Sequence, residues 1–109
     1  MIRATTPLQE FVFTDNPDTF ARVLITYSQD DNIVLEKGKE DLAFTPEYDE
    51  AGEVVDYIGA FRMTQEEANL FEPGAAQVQV RVLMTSGEAL AGDRATMKVE
   101  EVLNDEVLS

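Results

Sequence analysis

The chain has 109 residues, with 22 acidic and 8 basic side chains for a net charge of -14, and it contains no Cys, His or Trp. That excludes disulfides, Cys/His zinc sites and every catalytic scheme that needs an imidazole or a thiol. The acidic balance argues against nucleic acid and against anionic membranes, since both require a basic footprint.

Residues Gln9 to Thr14 are expected to form a strand, with Phe11 and Phe13 on one face and Val12 on the other. Asp15-Asn16-Pro17-Asp18 is a turn. Ala21 to Gln29 is a strand rich in β-branched and aromatic residues. Its apolar residues on both faces suggest a central position. Asp30-Asp31-Asn32 makes a tight hairpin connection into Ile33 to Lys37, because Asp and Asn tolerate positive φ.

Asp41 to Thr45 predicts another short strand, with Leu42 and Phe44 facing one way. Pro46 to Glu53 is the most polar stretch and is expected to be an exposed hairpin loop. Val54 to Arg62 returns as a strand. Thr64 followed by Glu67 is a capping box, with Met63 placed to staple onto Ala68. A helix of about two turns is therefore expected near residues 64–71, before Pro73-Gly74 stops it.

Ala76 to Met84 has the cleanest alternation, with Val78, Val80, Val82 and Met84 set against Gln77, Gln79 and Arg81. Thr85 to Glu88 is a hairpin turn. Ala89-Leu90-Ala91 leads into a last strand over Arg94 to Val102. The tail beyond it is weakly patterned. About seven short strands with regular turn signals point to one mainly β domain over residues 1–109, an antiparallel β-sandwich.

Three groups of residues are candidates for chemistry. Glu47, Asp49, Glu50 and Glu53 supply oxygen ligands of the kind Ca²⁺ takes, although their spacing is not that of an EF-hand. An exposed acidic loop is the simpler reading, and no metal or cofactor is assigned. The same two readings apply to Asp30-Asp31-Asn32. Glu66 and Glu67 point about 100° apart on a helix, so helix capping by Thr64 and Glu67 explains them better than acid/base work. Phe11, Phe13, Tyr27, Phe44, Tyr57 and Phe71 are read as core. Arg62, Arg81 and Arg94 are expected to form intramolecular ion pairs.

No run approaches the roughly 18 apolar residues of a membrane helix, and Met1 to Pro7 lacks the apolar segment of a signal peptide. A protein of the cytoplasm, or one built into a particle there, is expected.

Four segments together resemble a known family. Met1-Ile2-Arg3-Ala4-Thr5-Thr6-Pro7 resembles M-I-R-x-T-T-P. Met63 to Phe71 (M-T-Q-E-E-A-N-L-F) resembles L-T-Q-E-E-T-x-x-F. Val78 to Ala91 is similar to V-E-I-Q-L-R-x-x-T-x-D-G-x-A-x-A-S. Val99 to Leu108 resembles V-x-x-V-L-K-D-G-V-I, with Glu106 where that motif has Gly. The family comprises small proteins encoded in prophages of Gram-positive bacteria. The resemblance implies an immunoglobulin-like sandwich and a virion component of the tail or baseplate, in the host cytoplasm during assembly and then in the virion. It implies no catalytic residues, and partners that are other phage structural proteins or further copies of the chain. The rival expectation, from charge alone, is a free acidic module that docks on a basic host surface.

Overall fold

A computed structural model describes residues 1–109. Eight strands run β1 (Leu8–Phe13), β2 (Phe20–Gln29), β3 (Asn32–Gly38), β4 (Ala43–Tyr48), β5 (Val54–Arg62), β6 (Gly74–Met84), β7 (Ala89–Ala91) and β8 (Ala95–Val99). A single turn of α-helix, α1 (Gln65–Ala68), lies between β5 and β6. No helix is long and apolar enough to cross a membrane.

The strands form two antiparallel sheets. One has the order β1-β5-β4; the other has the order β3-β2-β6, with β7 and β8 both pairing β6 on its far side. This is a β-sandwich. The order corresponds to strands B-E-D and C′-C-F-G of an immunoglobulin-type sandwich. Ile2 adds a parallel bridge to Glu100, just past the end of β8.

Aromatic rings join the sheets. Phe13 and Phe44 from the smaller sheet meet Phe20 from the larger, at centroid separations of 5.4 Å for Phe13–Phe20 and 6.3 Å for Phe20–Phe44. Tyr27 of β2 packs edge-on against both Phe61, at 6.3 Å, and Phe71, at 5.7 Å. Edge-to-face packing suits the ring quadrupole and adds to the gain from burial. Gly59 is needed here because a Cβ would lie 2.8 Å from both the Phe13 and the Phe44 ring.

Turn chemistry sets the register. Asp30 and Asp31 both take positive φ, 49° and 63°, so the β2–β3 hairpin closes on two residues with Gln29 opposite Asn32. The β4–β5 and β6–β7 turns share another design. In each, a tight turn ends at a left-handed glycine, Gly52 (φ 81°) or Gly87 (φ 93°).

Four expectations need correction. Pro46 to Tyr48 belong to β4 instead of the loop, which Pro46 permits because β4 is an edge strand. The helix is one turn, not two: the amides of Leu70 and Phe71 bond three residues back, and Phe71 turns into the core. The last strand is shorter than Arg94 to Val102: β8 ends at Val99, and residues 92–94 separate it from β7. Arg62, Arg81 and Arg94 form no ion pairs; those are made by Arg3, Lys37 and Lys98.

Candidate functional site

Side chains alternate across a strand, so register assigns each residue of the larger sheet to a face. Val23, Ile25 and Tyr27 of β2 point inward and are fully buried. Arg22, Leu24 and Thr26 therefore point outward. On β6 the outward set is Gln77, Gln79, Arg81 and Leu83, with Arg81 opposite Leu24 and Leu83 opposite Arg22. Lys98, opposite Ala75, joins them from β8.

Two shallow depressions mark this face. One is lined by Arg22, Leu24, Arg81, Leu83 and Ala89 among others. The other is lined by Thr26, Gln77, Gln79 and Arg94, with Asp31 at its margin. Half of the chain's 8 cations thus gather on one sheet face: Arg22, Arg81, Arg94 and Lys98. Glu36, opposite Thr26, and Asp31 share that face. Arg22, Arg81 and Arg94 are exposed and make no ion pair. Leu83 is exposed beside them. Arginine next to exposed leucine is a composition suited to protein contact, since the guanidinium is weakly hydrated and forks onto carboxylates.

The opposite sheet carries the opposite sign. Seven carboxylates and no cation lie between Lys39 and Arg62, a stretch that holds all of the β4–β5 hairpin except its last residue, Arg62. Among them, Asp49 is spent on the turn: its Oδ1 accepts the amides of Ala51 and Glu53, each at 2.9 Å. Nowhere do three acidic side chains converge in a way that suits a metal ion. Glu47, Asp49, Glu50 and Glu53 are an acidic hairpin tip, and Asp30 and Asp31 are turn residues.

Three of the segments singled out in the sequence meet at one end of the sandwich. Arg3 Nη1 donates to both Glu101 carboxylate oxygens, at 2.8 and 3.0 Å, and Nη2 reaches Asp105 at 3.2 Å. The Glu101 bond holds the Arg3 pKa above its ordinary value. The Val102 amide and then Arg3 hold the Glu101 carboxyl below its own. Gln65 exchanges two hydrogen bonds with the backbone of Leu108, and Asn69 donates to the Asp105 carbonyl. The N-terminus, α1 and the tail are thereby clasped together. Nothing in the tail's hydropathy signals this.

The capping box forms as the sequence indicates: Thr64 Oγ1 accepts the Glu67 amide and Glu67 Oε1 accepts the Thr64 amide. Glu67 has a second role. Its carboxylate pairs with Lys37 Nζ at 2.5 Å, and that ammonium lies 5.4 Å from the Phe61 ring centroid. Burial pushes the Glu67 pKa up, but the bonds from Lys37 and Thr64 outweigh it and leave it below the ordinary value. Beneath this pair, the Tyr27 hydroxyl donates to Gln9 Oε1 at 2.8 Å. Burial, and then the Glu67 charge, raise the Tyr27 pKa. A phenol held neutral inside the core is a packing group.

No family model, curated protein or solved structure matches the chain.

Proposed function

We propose that this chain is a non-enzymatic structural protein of a phage particle, a tail or baseplate component that works by protein–protein assembly. The observation that carries the reading is the segregation of charge. An arginine-rich face on the larger sheet lies across the sandwich from an acidic hairpin on the smaller one. Such a molecule is complementary to a second copy of itself in a head-to-tail sense, and heterologous contacts of that kind generate rings or open filaments. At physiological salt the Debye length is about 8 Å. Distant acids of two copies are then screened from each other, while a guanidinium against a carboxylate is not. The phage setting is supported by the sequence resemblance.

The test is light scattering coupled to size exclusion, at physiological ionic strength, on the native chain and on the double variant Arg22→Glu, Arg81→Glu. Both side chains are exposed and unpaired, so the fold is expected to survive. A discrete oligomer that becomes a monomer in the variant is the expected result. A native chain that stays monomeric at every concentration sinks self-assembly. Separately, mass spectrometry of purified virions from an induced lysogen must find the protein; its absence sinks the phage setting.

A further inference from the structure

The outer edge of β1 has no neighbouring strand. β1 pairs only with β5, and the segment before it, Met1 to Arg3, lies along the end of β8 on the other sheet instead of beside β1. A groove of about 310 Å³ opens beside this edge. Its floor is formed by the inward side chains of β6, Val78, Val80 and Val82, and its walls by Phe11 and Phe13 of β1 and Leu90 and Ala95 of the larger sheet. The three valines are only partly buried, although their alternation is that of a core-facing row. The far wall is interrupted where residues 92–94 separate β7 from β8, with the Gly92 amide bonded to the Val80 carbonyl.

Two other outer edges of the sandwich, β4 and β3, are guarded. The β4 edge has Pro46 and the acidic hairpin, and β3 has an irregular register between Tyr27 and Ser28 with charged Glu36 and Lys37. Natural sheets blunt their edges with such devices. Within β1 the only charge is Glu10.

We propose that the β1 edge and its groove accept an extended segment of another protein, which adds as a strand beside β1 and sets alternate apolar side chains onto Val78, Val80 and Val82. Main-chain hydrogen bonds to a free edge supply affinity in this mode, and pockets for alternate side chains supply specificity. The charge of the occupant follows from the rim. Asp15 and Asp93 line the groove and no cation does, so the segment carries Lys or Arg flanking its apolar positions. The chain's own tail does not fit that chemistry. It has Asp105 and Glu106 at its centre, and it is already bound by Arg3, Gln65 and Asn69. The inference rests on the assembly reading for one point alone, that the segment belongs to a neighbouring protein of the same particle.

The probe is a synthetic nine-residue peptide that alternates valine with threonine and has lysine at both ends. A counterpart has glutamate at both ends. Each is added to the full-length protein, and amide hydrogen exchange is followed strand by strand. The lysine peptide is expected to slow exchange in Leu8–Phe13, leave β3 and β4 unchanged, and bind several-fold more tightly than the glutamate peptide. Asp93→Lys, a change at an exposed position, is expected to reverse that preference. Ala95→Tyr is expected to fill the groove and abolish protection. Should Ala95→Tyr fail to fold, Asp93→Lys decides alone. Protection at β3 or β4 instead of β1, no protection at all, or equal binding of the two peptides in the native chain and in Asp93→Lys would overturn the proposal. The virion assay is independent: a protein missing from virions that still binds the lysine peptide at β1 loses the phage setting and keeps the strand-accepting edge.

Discussion

The two ends of the interior are built to different standards. At the end near α1, Tyr27, Met63, Ala68, Phe71 and Ala76 are at or below 1 % exposure, and the tail is clasped across the outside. Along β1 and the middle of β6, Val78, Val80 and Val82 remain partly exposed beside an open groove. Hydropathy does not distinguish the ends, since both are lined by apolar rows. Coverage does: one has a helical turn and a tail over it, and the other lacks the strand that would close the sheet. The lesson is that a strand with a core-facing pattern needs a neighbour on both layers before its side chains leave water.

The comparison breaks first at Phe71. Its ring is fully buried against Tyr27, and neighbours packed on every side relax little into the space it leaves. Phe71→Ala should cost about 3–5 kcal/mol, as large aromatic truncations in closed cores do. Chemical denaturation measures it. A cost below about 1 kcal/mol would mean that this end is as loosely packed as the groove. On the same logic Ala76→Val, which adds carbon at a position with no exposure, should cost about 1–3 kcal/mol from overpacking.

The Lys37–Glu67 pair sharpens the contrast, because it ties β3 to the cap of α1 over the closed end. Glu67→Gln keeps the shape and removes the charge. It should cost about 1–2 kcal/mol, held down by the water that still reaches both heads. Its pH dependence has a definite sign. The folded pKa of Glu67 lies below its unfolded value, so the contribution is fully present above the ordinary carboxylate pKa of about 4.3 and is lost as pH falls through the folded value. Denaturation curves from neutral pH downward should therefore converge for native and Glu67→Gln chains in acid. A constant gap at all pH values would mean that the charge of Glu67 is not its source.

Much of this was legible in the sequence, for identifiable reasons. Strong alternation marks β6, β-branched and aromatic content marks β2, and Asp30-Asp31 and Thr64 with Glu67 carry their turn and cap chemistry in the residue types themselves. The sandwich followed from strand number and spacing. What was not legible depends on distance in the chain. Arg3 meets Glu101 and Asp105 nearly the whole sequence away, and nothing local announces such a pairing. For the same reason Arg81 and Arg94 were expected to find acids, which a count of charges favours, but register places them together on an outer face. The polarity of Pro46 to Glu53 points to a loop throughout only because edge position is invisible in one strand's sequence. The groove was hidden for the opposite reason: Val78, Val80 and Val82 announce a buried face, and an absent neighbour leaves no mark on the residues present.

The smallest expected effect is the most discriminating, because it compares two positions of one strand. Val80→Ile adds one carbon at the groove, as Ala76→Val adds carbon four residues earlier on the same inward row of β6. At Ala76 there is no space to take it. At Val80 there is, and the extra carbon covers apolar surface that water now reaches, a gain bounded by about 0.8 kcal/mol for a fully buried methylene. Val80→Ile should thus leave stability unchanged or raise it by a few tenths of that scale, measured as a shift in denaturation midpoint at constant slope. A loss of about 1 kcal/mol or more would mean that Val80 is already enclosed. The half-buried row would then be a tightly packed margin of the core, with no room for a ninth strand.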